Sequence, residues 1–119
     1  LLEVMERLRA PDGCPWDREQ THRSIRQCFL EETYEAVEEI DTDDTELLKE
    51  ELGDVLFQVV FHAQLEKEKG TFTFDDVTDG VVRKMILRHP HVFGDVSVSG
   101  TGDVLRNWDA INACAEAAS

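Results

Sequence analysis

The stretch Leu52-Gly53-Asp54-Val55-Leu56-Phe57-Gln58-Val59-Val60-Phe61-His62-Ala63 is apolar at most positions, and at about 100° per residue those side chains point to nearly every side of a helix. Such a helix has to be covered around most of its circumference. Its polar groups Glu51, Asp54, Gln58 and His62 fall in one stripe about 80° wide by the same arithmetic. That stripe reads either as the single wet edge of a central helix or as a functional seam turned to the core. A chain of 119 residues buries roughly two-thirds of the surface it exposes unfolded, enough for one core and a single domain spanning 1–119. It has too little else to surround this helix, so the pattern predicts a homodimer.

The punctuation around that helix, which spans 45–69 and stops at Gly70, predicts an all-α antiparallel bundle. Residues 1–9 have helical spacing, and Pro11-Asp12-Gly13-Cys14-Pro15 stops them in a loop, with Gly13 supplying turn geometry. A helix over 21–40 ends at an acidic stretch, 41–44, whose side chains can cap the next helix, so the two form a hairpin. Thr73-Phe74-Asp75-Asp76 has the capping-box form ahead of a helix through about Arg88, and His89-Pro90 breaks it. Residues 92–98 read as locally extended. Asp103 caps a last short helix carrying Leu105, Trp108 and Ile111, followed by a small-residue tail from Ala113. The domain thus divides into an N-terminal helix and loop (1–20), core helices (21–89), and a loop, short helix and tail (90–119).

Twelve basic against 26 acidic side chains leave a net charge of −14, which repels nucleic-acid phosphates and anionic lipid over most of the surface. Neither nucleic acid nor membrane is an expected partner. A hydrophobic share of 41% with 32% charged residues is too apolar for a disordered tail and too interrupted for a membrane span. Cys14, Cys28 and Cys114 form no C-x-x-C pair, which argues against a disulfide framework or zinc knuckle and fits a reducing, cytoplasmic setting. The N-terminus lacks the basic-then-apolar layout of an export signal and does not start with Met, so residues are expected to be missing there.

The chemistry lies in the carboxylates. On the 21–40 helix, Ile25, Phe29, Leu30, Tyr34, Ala36, Val37 and Ile40 form the apolar arc. Glu32 sits at its edge, Glu35 and Glu39 flank it, and Glu31 and Glu38 turn toward solvent. A carboxylate aimed at a core is costly unless a cation or donors receive it. The hairpin can bring Glu32 and Glu35 face to face with Glu51 and Asp54, and four such groups repel without a cation. Oxygen-only ligands suit Mg²⁺, with Mn²⁺ as substitute, and Mg²⁺ readily takes substrate phosphates as further ligands. A polyphosphate substrate thereby becomes compatible with an acidic protein. Lys84 and Arg88, four apart beside Val77 and Val81, read as phosphate contacts or as a snorkelling edge. Trp16 reads as a base-stacking ring or a packing anchor. His22, His89 and His91 complete no metal set, and His89-Pro90-His91 reads as a cap and turn.

Glu31-Glu32-Thr33-Tyr34-Glu35 followed by Glu51-Leu52-Gly53-Asp54 resembles the E-E-x-x-E and E-x-x-D signature of the MazG nucleoside triphosphate pyrophosphohydrolases. The block from Leu8 through Asp17 with Glu19-Gln20-Thr21-His22, and Arg88-His89-Pro90-His91-Val92-Phe93-Gly94-Asp95, are similar to that family's N-terminal loop and its motif after the fourth helix. The resemblance implies an all-α NTP pyrophosphatase fold, completed by homodimerisation, that hydrolyses nucleoside triphosphates between the α- and β-phosphates to a monophosphate and pyrophosphate. It implies Glu32, Glu35, Glu51 and Asp54 as Mg²⁺ ligands, Glu31 beside them as a supporting group or base, and Lys84 and Arg88 as phosphate contacts. Four positions after Trp108, where the family often has lysine, stands Asn112. The alternatives are a non-catalytic four-helix dimerisation or metal-binding module, and a related pyrophosphohydrolase acting on dUTP or phosphoribosyl-ATP. A carboxylate-bridged di-iron site is disfavoured, because such sites take a Glu-x-x-His from each of two helices and this sequence has one, Glu19-Gln20-Thr21-His22.

Overall fold

The computed structural model describes the backbone of residues 1–118 and the side chains of 1–113, so Cys114 and most of the small-residue tail fall outside the described side chains. Its helices are α1 (Leu2–Arg9), α2 (Pro15–Glu19), α3 (His22–Asp41), α4 (Thr45–Lys69), α5 (Phe74–Arg88), α6 (Pro90–Phe93) and α7 (Thr101–Ala118). There is no strand among the described residues, and the chain is all-α, as its pattern requires. None of the described helices is long and apolar enough to cross a membrane. The chain forms two compact units, Leu1–Phe74 and Asp75–Ser119.

The first unit is built on the antiparallel pair α3 and α4. Thr21 and Ser24 cap α3 reciprocally: Ser24 N donates to Thr21 Oγ1 at 3.2 Å, and Thr21 N to Ser24 Oγ at 2.7 Å. Asp44 caps α4, its Oδ1 accepting from Leu47 N at 3.1 Å. Gly70 ends that helix at φ 75°, in the left-handed region that glycine enters without a Cβ clash. Asp43, in the tight turn between α3 and α4, has φ 57°, which a short polar side chain tolerates. These signals were all local, and the boundaries of α4 fall where the sequence places them.

Met5 of α1, Ile25 of α3, and Val60, Phe61 and Leu65 of α4 make the core, with Phe57 and Phe74 packed against it. Each fully buried apolar side chain of this size contributes roughly 1.5–3 kcal/mol. Burial along α4 is uneven in the single chain. Gln58, Val60, Phe61, Ala63 and Leu65 are buried, whereas Leu52 and Leu56 are 53% and 46% exposed. On α3 only Ile25 and Ala36 are buried, and Leu30, Tyr34, Val37 and Ile40 of the expected apolar arc are exposed. The reason is that α1 packs over the Phe61 end of the hairpin and stops short of its turn.

Two prolines behave differently from the reading that they only break helices. Pro15 and Pro90 each occupy the first turn of a short helix, α2 and α6, where the missing N–H costs nothing and the fixed φ favours helix. Val92 and Phe93 are consequently helical rather than extended. The last helix is 18 residues long, not short. Asp103 lies inside it, and its Oδ2 accepts from Ser99 N at 3.0 Å and Ser99 Oγ at 2.7 Å. In this second unit, His89 stands at the N-cap position of α6 without a side-chain bond to that helix, and its Nδ1 lies 2.6 Å from Met85 O. Trp108 of α7 meets His89 edge to face at 5.0 Å and lies 5.8 Å from the Arg88 guanidinium. Arg88 Nε donates to Asn112 Oδ1.

Gly13 acts through space rather than conformation, since the positive-φ residues among those described are Asp43 and Gly70. Its N–H donates to Ala10 O at 2.8 Å and that of Cys14 to Leu8 O at 2.8 Å, folding the loop back on α1. A Cβ there would collide with the carbonyls of Arg7 and Leu8. Gly13→Ala is expected to destabilise the protein by about 1–3 kcal/mol through overpacking. Gly80→Ala, on an exposed helical position with open space around it, is expected to stabilise by about 0.5–1 kcal/mol. Urea denaturation midpoints of the two variants check both signs.

Candidate active site

The caps at Thr21 and Asp44 and the tight turn between α3 and α4 set the register of the pair, and that register decides which carboxylates meet. Glu32 and Glu35, one turn apart on α3, face Glu51 on α4, and one oxygen from each lies within 4.8 Å of the others. Glu32 Oε2 and Glu51 Oε2 are buried and have no hydrogen-bond partner. Asp54, one turn beyond Glu51, stands outside that group of three and is exposed, but its charge acts on both Glu32 and Glu51.

The electrostatic consequence is large. Desolvation first, then the adjacent Glu35 and the charge of Asp54, push the Glu51 carboxyl up to about 7. Glu32 is raised by its own desolvation and then by the charges of Glu35 and Asp54. Both groups resist ionisation because nothing positive receives them. Orphaned carboxylate oxygens converging from two helices are the donor set of a hard divalent cation. The residues therefore fit a metal ion, and the oxygen-only chemistry fits Mg²⁺ or Mn²⁺ better than zinc.

Other residues singled out by sequence have different surroundings. Glu31 is exposed and accepts from Gln27 Nε2 at 3.4 Å. Trp16, the second residue of α2, is 58% exposed in the single chain. Lys84 and Arg88 belong to the second unit, where Lys84 is exposed and Arg88 is held by Asn112 and Trp108. The polar stripe of α4 continues past His62 to Glu66, and His22 of α3 joins it, with Nδ1 2.7 Å from His62 Nδ1 and Nε2 3.0 Å from Glu66 Oε1. Sequence reasoning missed this assembly. Glu66 lies four residues after His62, so one more turn of the stripe would have revealed half of it.

With this geometry in view, comparison with known proteins is direct. Residues 20–93 match the MazG nucleotide pyrophosphohydrolase domain, and the chain belongs to that family. It is 50% identical over 113 residues to the nucleoside triphosphate pyrophosphohydrolase/pyrophosphatase MazG of Thermotoga maritima, covering 95% of this chain and 43% of that protein. It is 49% identical over 112 residues to a nucleoside triphosphate pyrophosphohydrolase of Escherichia coli K12, covering 93% of this chain and 43% of that one. Uncharacterized protein YabN of Bacillus subtilis is 54% identical over 108 residues, covering 91% of this chain and 22% of its own length. The chain thus spans less than half of each of these relatives. The crystal structure of a mazG-related protein from Thermotoga maritima shares the fold, with a TM-score of 0.76 at 22% identity over 93% of this chain and 95% of that one.

A carboxyl whose pKa is raised on folding holds its proton more tightly in the native state, so native stability falls as pH rises from the ordinary 4.5 toward about 7. His62, lowered by burial, works in the opposite direction below its ordinary 6.5, so a variant is needed to separate them. The metal-free protein is expected to lose stability between pH 5 and 7.5 relative to Glu51→Gln, and Mg²⁺ is expected to remove that difference. Denaturation midpoints across this range with and without Mg²⁺ measure it; parallel curves for the two proteins would contradict the assignment.

Proposed function

We propose that the chain hydrolyses nucleoside triphosphates between the α- and β-phosphates, releasing a nucleoside monophosphate and pyrophosphate, with Mg²⁺ or Mn²⁺ held by Glu32, Glu35, Glu51 and Asp54. The observation that carries this reading is the convergence of three carboxylates within 4.8 Å, two of them with buried, unpartnered oxygens. Membership of the MazG family supports the reaction class. A bound divalent cation supplies neutralisation of the phosphate charge and acidification of a water. The protein's part is mainly electrostatic positioning. Glu32 and Glu35 hold one side of the ion from α3, and Glu51 and Asp54 the other from α4, so the rigid hairpin fixes where the triphosphate lies. Glu31, exposed on α3 beside Glu32, is the proposed proton acceptor. Trp16 offers an exposed ring to stack on a base.

The proposed assembly is a homodimer. Leu30, Tyr34, Val37 and Ile40 on α3 and Leu52 and Leu56 on α4 are exposed, a run of apolar side chains that a second copy would cover. Sedimentation at micromolar concentration is expected to show twice the 13.6 kDa of one chain; a single-chain species alone would refute it.

The activity test compares Glu35→Gln and Asp54→Asn with Glu38→Gln. The first two are expected to lose about 100-fold or more in rate at saturating Mg²⁺ with little change in denaturation midpoint. Glu38 is exposed on the same helix, and its variant is expected to keep near-normal activity. Pyrophosphate and monophosphate are resolved from inorganic phosphate and diphosphate. Equal rates for all three variants would overturn the site, γ-phosphate release would overturn the reaction, and no cleavage of any nucleotide would favour a non-catalytic module.

A further inference from the structure

A cavity lies within the first unit, at the end of the α3–α4 hairpin away from its turn. Arg9, Arg23 and Lys69, three of the chain's twelve basic side chains, line it with Thr21, Leu65 and Glu68. Its volume is about 510 Å³, within the size range of small-molecule sites. Much of the wall is already committed. Arg9 gives its bonds to Glu68 and to the carbonyls of Asp17 and Gln20. Gln20, also in the wall, donates from Nε2 to Trp16 O and accepts at Oε1 from Ser24 Oγ. Both ring nitrogens of His22 are engaged, one by His62 and one by Glu66. Three groups are left. Thr21 Oγ1 accepts from Ser24 N, and its own hydrogen is unspent. Lys69 has a single contact, 3.7 Å to Glu66, on a side chain that is 60% exposed, a kind of pair worth little. Arg23 is exposed and makes no hydrogen bond or ion pair with another described residue. The unspent groups are all donors: a guanidinium, an ammonium and a hydroxyl hydrogen.

Free donors and surplus positive charge call for a guest that only accepts and is itself negative. Glu68 matches Arg9 and Glu66 stands loosely beside Lys69, which leaves the charge of Arg23 uncompensated in a chain of net charge −14. One guanidinium fork saturates a planar carboxylate, whereas a fork, an ammonium and a hydroxyl together suit a tetrahedral oxyanion with more oxygens to bind. Leu65, 6% exposed, supplies an apolar wall. The cavity is separate from the carboxylates. Arg23 stands nine residues before Glu32 on α3, about 14 Å, and Lys69 eighteen after Glu51 on α4, about 27 Å. We infer that this cavity binds a phosphate group, with Arg23 and Lys69 clasping its oxygens and the Thr21 hydroxyl donating to a third. A phosphate so held joins the first turn of α3 to the last turn of α4 and stabilises the hairpin that carries Glu32 and Glu51. This site goes beyond the proposed hydrolysis and does not depend on it.

The test titrates metal-free, ¹⁵N-labelled protein with inorganic phosphate, pyrophosphate, AMP and ribose 5-phosphate at fixed ionic strength, followed by NMR. Without metal the carboxylate cluster repels anions and does not compete. Saturable shifts of the Arg23 and Lys69 amides at millimolar concentration or below are expected with at least one of these ligands. Arg23→Gln is expected to weaken binding about tenfold, as loss of a charged hydrogen-bond partner allows, and Arg23→Gln with Lys69→Gln to abolish it. Arg7→Gln removes the same charge outside the cavity, where Arg7 pairs with Asp12, and is expected to leave binding unchanged. All three side chains are exposed, and equal denaturation midpoints without ligand check that the variants fold. Tighter binding of AMP or ribose 5-phosphate than of inorganic phosphate identifies a phosphorylated small molecule as the source of the group, and tighter binding of pyrophosphate a free polyphosphate; both support the inference. No saturable shift, shifts confined to the surroundings of Glu32 and Glu51, or equal weakening by Arg7→Gln would overturn it and leave the hydrolysis standing. Absence of nucleotide cleavage, conversely, leaves this binding measurement intact, because it reads no turnover.

Discussion

Repulsion between like charges is the constraint around which this hairpin is organised. Glu32, Glu35 and Glu51 are brought together by two helices, and in the absence of a cation they push those helices apart. What resists is apolar burial at one end of the pair, where Met5, Ile25, Val60, Phe61 and Leu65 close the core, and the tight capped turn at the other. The carboxylates lie between these two fastenings. The cost of assembling them is therefore carried by parts of the chain that take no part in chemistry, a common arrangement where a site must be poised before its ligand arrives.

Arg9 extends the fastening at the core end. Its guanidinium takes both oxygens of Glu68 at 2.7 Å, donates to the carbonyls of Asp17 and Gln20, and lies 5.8 Å from the Phe61 ring centroid. One side chain thus ties α1 and the end of α2 to the last turns of α4. The planar fork makes bonds in several directions at once, which an ammonium group on lysine could not reproduce. Glu68 is held below its ordinary range chiefly by this contact.

Much of this was legible in the residues, and the failures share a cause. Caps, stops and periodicity are local, so Thr21, Asp44 and Gly70 marked the hairpin correctly, and the i, i+3 spacing of Glu32 with Glu35 placed two acids on one face. The pairing of that face with Glu51 followed from the short connection. Burial is not local. Leu30, Tyr34 and Val37 have the spacing of a core face but are exposed, because their burial depends on what else is present rather than on α3. His22 gave no local sign of its role, since its partners are 40 and 44 residues away. The helix ends read at the Pro11–Pro15 loop and at His89-Pro90 hold, and what periodicity did not show is that Pro15 and Pro90 also open short helices of their own.

The helix α4 has 25 residues in one uninterrupted run, about 37 Å at 1.5 Å each. Glu51, Asp54, Gln58, His62 and Glu66 lie along it in register, as do the core side chains that anchor it. An insertion or deletion of one residue anywhere between them would rotate everything on one side by about 100° relative to the other. Substitutions can drift here one at a time, but changes of length cannot. Length changes that keep this arrangement are therefore expected in the turns on either side of α4, and the helix itself serves as a fixed ruler for the groups along it.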